Sequence, residues 1–165
     1  MKISGITFLG KPNNYRIVDD LISHSAQPQK EDFVWLKEQG VTDIINFRTM
    51  IVPELGYEEQ NIVENLGMRY HNIPSYTRHP YDSNVNLFLK TVEEIKSKQG
   101  KVHLHCKAGA DRTGMDVFIY KMLKGIGTLE SNKADWLSLG HHFKLYPNLI
   151  DWAEGFVRSA LKFSK

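Results

Sequence analysis

The sequence predicts an α/β fold with a central, mostly parallel sheet flanked by helices, and two observations carry that prediction. Compact apolar stretches such as "VTDIINF" and "KVHLH" alternate with longer segments of helical periodicity. Glycines at 40, 67 and 100 stand where those helical segments should stop.

Taken in order, "YRIVDDLISHSAQP" holds β-prone stretches punctuated by polar turn residues. In "KEDFVWLKEQG", apolar Phe33, Val34 and Leu36 precede Gly40, which marks a helix. "VTDIINF" reads as a buried strand. "PELGYEEQNIVENLG" has Leu55, Ile62, Val63 and Leu66 at helical spacing, with Gly67 as C-terminal cap, and "MRYHNIP" follows as a short strand.

Residues 74 to 84, "PSYTRHPYDSN", are rich in turn formers and predict an exposed loop. A helix over "NVNLFLKTVEEIKSKQG" and the strand "KVHLH" come next. From Arg112 to Lys124 the apolar spacing fits a helix buried on most of its circumference, ended by "GIGT". "LESNKADWLSLG" and "PNLIDWAEGFVRSALKF" predict two more helices, with Pro147 suited to a first turn. Trp35, Trp136 and Trp152 are expected to pack between elements, and Asp116 and Tyr120 to be structural.

With 165 residues, 41% of them hydrophobic, the chain suits one domain over residues 1–165. A net charge of +2 is too small to point to nucleic acid. The single cysteine excludes an intrachain disulfide and fits a reducing cytoplasm. No signal-like h-region opens the sequence, and no segment is long and apolar enough to span a bilayer.

The chemistry concentrates in "VHLHCKAGADRTG", residues 102–114. A strand that stops, a glycine-containing loop and a helix that starts form an anion site, because N–H groups converge there and the helix dipole favours negative charge. Cys106 at the strand end would be held as thiolate by those groups and by Arg112. Five residues separate the two, enough chain to wrap a phosphate and return a guanidinium fork to two of its oxygens. Gly109 permits close approach of the loop backbone, and Thr113 can donate a hydroxyl to the thiolate.

"HCKAGADRTG" resembles the His-Cys-x5-Arg-Ser/Thr signature of the protein tyrosine phosphatase superfamily. "AQPQKEDFVWLKEQGVTDIINFR" and "YHNIP" extend the likeness to its atypical dual-specificity branch over most of residues 15–125. The resemblance implies a cysteine-phosphatase fold and a two-step mechanism with a phosphocysteine intermediate, without metal or organic cofactor. Cys106 would attack phosphorus. Arg112 and the amides of Lys107, Ala108, Gly109, Ala110 and Asp111 would hold the equatorial oxygens, and His105 would orient the loop.

Two residues compete for the general acid. Asp82 is the only Asp between residues 44 and 110, 24 residues before Cys106, but the family's Trp-Pro-Asp form is absent. Asp111 makes "CKAGADR" similar to the Cys-x2-Gly-x-Asp-Arg loop of myotubularin-like lipid phosphatases, where that Asp is assigned the acid role. That spacing is shorter than in many relatives, but the family's acid is an Asp on a loop upstream of the cysteine, which favours Asp82, and both stay open.

Lys107, Arg78, His79 and "GHHFKLYP" predict a basic rim, suited to an inositol polyphosphate or phosphoinositide headgroup. Phosphotyrosine on a protein is the rival substrate, with Tyr76 or Tyr81 lining a slot. Arg48, ending "DIINFR", is a further candidate for the rim. His103, His105 and Cys106 also form a loose metal-like cluster, short of ligands unless remote His71, His79, His141 or His142 join it. A phosphate-reading module would not need the nucleophile, and an arsenate reductase of this loop type would need an external thiol.

Overall fold

A computed structural model describes residues 10–49 and 55–163. Strands β1 (Arg16–Ile17), β2 (Ile22–Ser25), β3 (Asp43–Asn46), β4 (Arg69–Asn72) and β5 (Val102–His105) form one sheet in the order β1-β2-β5-β3-β4. Only the β1–β2 pair is antiparallel. β5 lies in the middle, with Ser25 of β2 and Asn46 of β3 both in register with His105. Three parallel strands therefore end at one edge, immediately before the cysteine loop.

The helices are α1 (Lys30–Glu38), α2 (Glu59–Asn65), α3 (Asp82–Ser97), α4 (Arg112–Leu123), α5 (Leu129–Ser138) and α6 (Leu149–Phe163). The alternation of β3 side chains divides them between two faces of the sheet. Ile44 packs with Phe33 and Leu36 of α1 and Val63 of α2, whereas Ile45 packs with Phe88 and Val92 of α3 and Val117 of α4. On its other flank α4 meets α5 and α6 through Phe118, Ile119, Trp136, Ala153 and Val157. Every residue from Thr113 to Tyr120 is consequently buried, in keeping with its nearly continuous apolar run.

Local differences from expectation have physical causes. The expected helix start at Pro53 and Glu54 lies outside the described residues. Leu55 precedes α2, which begins only at Glu59. α3 starts at Asp82, so the turn formers at the end of "PSYTRHPYDSN" make a first helical turn, where an acidic residue complements the dipole. Val34 is exposed on the outer side of α1, and Pro147 sits two residues ahead of α6. Trp136 is buried, while Trp35 and Trp152 are half-buried at helix contacts. No helix among the described residues is long and apolar enough to cross a membrane.

Two buried carboxylates behave oppositely. Burial alone would raise Asp43, but hydrogen bonds from His71, Arg69 and Thr42 outweigh it and bring the carboxyl down to about 2. Asp116 has no such partners: burial pushes it up to about 7, opposed only by the Ser75 hydroxyl. The fold therefore accommodates the protonated Asp116, whose contribution is complete below the ordinary value of 3.8 and lost as the pH rises through about 7. His24, lowered to about 4 by burial and by the charges of Arg16 and Lys121, pulls the other way. The difference between variants isolates Asp116: Asp116→Asn should gain stability relative to wild type between pH 5 and 7, by up to about 1.4 kcal/mol per pH unit. Urea titrations across that window check this, and a constant difference would refute it.

Candidate active site

The residues between β5 and α4 form a tight loop at the centre of the strand-end edge. Gly109 adopts a φ of 70°, and a Cβ there would lie 2.5 Å from the Ser25 carbonyl carbon. Only glycine meets both demands. In this conformation the Gly109 N–H points at Cys106 and donates to Sγ at 3.3 Å. Gln27 N–H donates to the Lys107 carbonyl, and the indole N–H of Trp136 donates to the Ala110 carbonyl at 3.0 Å. The loop is thus fastened to the end of β2 on one side and to α5 on the other.

A cleft of about 450 Å³ opens over the loop, with Cys106, Lys107, Ala108, Asp111 and Arg112 at its floor. Tyr76, Thr77, Arg78, His79 and Tyr81 from the segment before α3, and His142, Leu145 and Tyr146 from the segment after α5, also line it. Gly109 and Ala110 turn inward and are buried. The side-chain nitrogens of Lys107, Arg112, Arg78 and His79 have no hydrogen bond or ion pair with any described residue. Unopposed basic side chains around the N-terminus of a helix suit an anionic ligand.

His105, the last residue of β5 and the neighbour of Cys106 in the chain, is buried. Its Nδ1 lies 3.3 Å from the Cys106 carbonyl oxygen, and its Nε2 donates to Glu59 Oε1 at 2.6 Å. Both contacts are satisfied together when both ring nitrogens carry protons. Glu59 Oε2 in turn accepts from Gln27 Nε2 at 2.7 Å, so the carboxylate is held on both oxygens. Glu59 was not singled out from the sequence, where it is one of four acidic residues in "PELGYEEQNIVENLG".

The other expected site residues are distributed unevenly. Thr113 Oγ1 is buried and has no hydrogen-bond partner among the described residues, so the expected bond to the thiol is not made. Asp82 is exposed in the first turn of α3 and does not line the cleft, although its neighbour Tyr81 does. Arg48 is also off the rim: its Nη1 donates to Gln27 Oε1 at 2.9 Å, in a separate hollow beside Glu59, Tyr57 and Tyr70.

Asp111 does line the cleft, with its carboxylate tied down. Oδ1 accepts from His141 Nδ1 at 2.7 Å and from the His142 N–H at 2.8 Å, and Oδ2 accepts from His142 Nδ1 at 2.7 Å. His103 lies between the hydroxyls of Ser23 and Ser25 rather than near Cys106. Among the described residues no group of three or more His, Cys, Asp or Glu side chains could hold a metal ion.

This sheet order and loop define the dual-specificity type of cysteine phosphatase fold, and the comparisons agree. The family model described as "Polymorphic toxin system, DSP-PTPase phosphatase" matches residues 21–125, and the chain belongs to that phosphatase family. Among solved structures, a protein from Shewanella putrefaciens described as a DUF442 phosphatase superposes with a TM-score of 0.72 at 21% identity, covering 94% of this chain and 96% of the other. The catalytic core of the PP-IP phosphatase Siw14 from S. cerevisiae, in complex with citrate, gives 0.71 at 18% identity, covering 93% and 94%. TpbA of P. aeruginosa, as a cysteine-to-serine variant in complex with pTyr, gives 0.69 at 16% identity, covering 88% and 83%. No curated protein matches the chain.

The buried pair under the loop generates a prediction. Glu59→Gln keeps the volume but removes the negative charge opposite His105. Alkylation of Cys106 by iodoacetamide near neutral pH should change by roughly threefold to tenfold, as expected when a charge close to a thiol's support is deleted. An unchanged rate in a protein with wild-type circular dichroism would make Glu59 a packing residue only.

Proposed function

We propose that the chain is a cysteine-dependent phosphomonoesterase working through a phosphocysteine intermediate on multiply charged substrates, with inositol polyphosphates as the leading class. The observation that carries the reaction type is the Cys106 Sγ at the head of α4, accepting the Gly109 N–H and sharing one cleft with an unpaired Arg112. In the first step Sγ forms a bond to phosphorus as the bond to the leaving oxygen breaks, and that oxygen takes a proton from the cleft wall. In the second, water attacks phosphorus, the S–P bond breaks, and the thiolate and inorganic phosphate separate. The guanidinium fork of Arg112 and the loop amides stabilise the equatorial oxygens in both steps.

The substrate class rests on charge. Beyond the one phosphoryl group that Arg112 and the loop would hold, Lys107, Arg78 and His79 remain unopposed along the cleft, suiting further phosphates on the same molecule. That Siw14 is described as a PP-IP phosphatase adds support. Phosphotyrosine is the second reading, favoured by the edge-to-face pair of Tyr76 and Tyr81 on the cleft wall, 5.5 Å between ring centroids, and by the pTyr complex of TpbA.

The test is phosphate release from inositol hexakisphosphate, a phosphoinositide, a phosphotyrosine peptide and a phosphoserine peptide, with Cys106→Ser as blank. A lead for the inositol compounds is expected, and Arg78→Ala with Lys107→Ala should narrow it by raising KM. A lead for the phosphotyrosine peptide would reverse the substrate order, and no release above the blank from any compound would remove the enzymatic reading. Arg112→Lys should lower kcat/KM by at least about a hundredfold, since a point charge cannot replace a bidentate fork. Near-normal kinetics in that variant would count against the clamp.

A further inference from the structure

We propose that His142 is the proton donor of this cleft and that Asp111 is the residue that positions it, an assignment that rests on the phosphatase reading above. Both carboxylates expected from the sequence are poorly placed for the task. Asp82 lies outside the cleft. Asp111 lines it, but its two oxygens already accept three N–H groups, an arrangement in which the side chain acts as acceptor and has no proton to hand on.

That same arrangement prepares an imidazole. A carboxylate can only accept, so the 2.7 Å contact fixes the proton of His142 on Nδ1 and leaves Nε2 as the atom that gains and loses one. The backbone N–H of His142 on Oδ1 closes a second bond to the same carboxylate and restricts the residue's freedom. The side chain is 53% exposed and shares the cleft with Cys106 and Arg112. His141 makes the equivalent Nδ1 contact, but its side chain is fully buried against Trp136 and Phe143, and its Nε2 has no partner. Of the two imidazoles on Asp111, only that of His142 opens on the cleft.

Charge supports the assignment when all the groups facing His142 are counted. Lys107, Arg112, Arg78 and His79 share the cleft lining with it, and Lys144 stands two residues along the chain. Asp111 is the acidic residue among the cleft lining and holds the ring through a direct hydrogen bond. A bound phosphate brings negative charge into the same space. The imidazolium Nε2–H then passes its proton to the leaving oxygen as the P–O bond breaks. The neutral ring takes a proton from the water that attacks the phosphocysteine, and the imidazolium is restored without another reactant.

The experiment compares kcat/KM for phenyl phosphate and p-nitrophenyl phosphate in wild type, Cys106→Ser, His142→Gln, Asp111→Asn, His79→Gln and Asp82→Asn. Gln at 142 keeps the backbone bond to Asp111 but cannot transfer a proton. His142→Gln should lose at least about a hundredfold on phenyl phosphate and less than about tenfold on p-nitrophenyl phosphate, whose leaving oxygen needs little help. Asp111→Asn should show the same pattern to a smaller extent. In wild type the phenyl phosphate rate should fall on the alkaline side as the imidazolium is lost, and His142→Gln should abolish that limb. Retained p-nitrophenyl phosphate turnover doubles as proof that the variant is folded. Equal losses on both substrates, no loss, or the selective pattern in Asp82→Asn or His79→Gln instead would overturn the assignment while Cys106-dependent release continued. Absence of Cys106-dependent release in wild type would overturn the phosphatase reading, and this one with it.

Discussion

The contact between the backbone of Gly109 and that of Ser25 and Ala26 is the constraint on which the site depends. Two main-chain segments meet with no room for a side chain between them, and the meeting turns the Gly109 N–H onto the cysteine sulfur. That geometry requires the ends of β2 and β5 to be level, which the parallel register of Ser25 with His105 supplies. Because β5 is central, hydrogen-bonded by β2 and β3 alike, the loop inherits the position of a strand held on both edges. Side chains come after that main-chain fit: Trp136 under Ala110, Gln27 beside Lys107, His105 and Glu59 beneath.

Charge is arranged in two tiers around that frame. Below the loop, the buried Glu59 carboxylate is consumed by His105 and Gln27. At its edge, Asp111 is consumed by two histidines. The acidic groups near Cys106 therefore have N–H partners of their own and do not neutralise the lysine and arginines that line the cleft. The site stays positive without a large net charge on the chain, which is why a formal balance of +2 carried so little information about what binds here.

How much of this was legible follows from how far apart the interacting residues lie. The loop is contiguous, so Cys106, Gly109 and Arg112 could be recognised from spacing and chemistry, and the strand and helix pattern around them yielded the parallel sheet. Glu59 lies 46 residues from His105, and the histidines 30 and 31 residues from Asp111, so these pairs exist only once α2 and the segment after α5 are in place. Asp82 shows the opposite case. Its residue type and its place upstream of the cysteine suited an acid, but the same turn-forming neighbourhood that suggested a loop starts α3 and leaves it out of the cleft lining. Arg48 stands after β3 as expected, yet a nearby glutamine captures its guanidinium.

Trp136, His141 and His142 all lie beyond residue 125, where the family match ends. The indole against Gly114 and Ala110 and the two imidazoles on Asp111 nevertheless reach the loop from that outlying segment. The cysteine loop is thus separable from the side chains that brace it, as an engine block is from its timing gear. Replacing one stretch from α5 to Tyr146 would retune the site without altering a residue of the phosphate loop, so two chains with the same ten-letter signature need not share a pH optimum or a preferred leaving group.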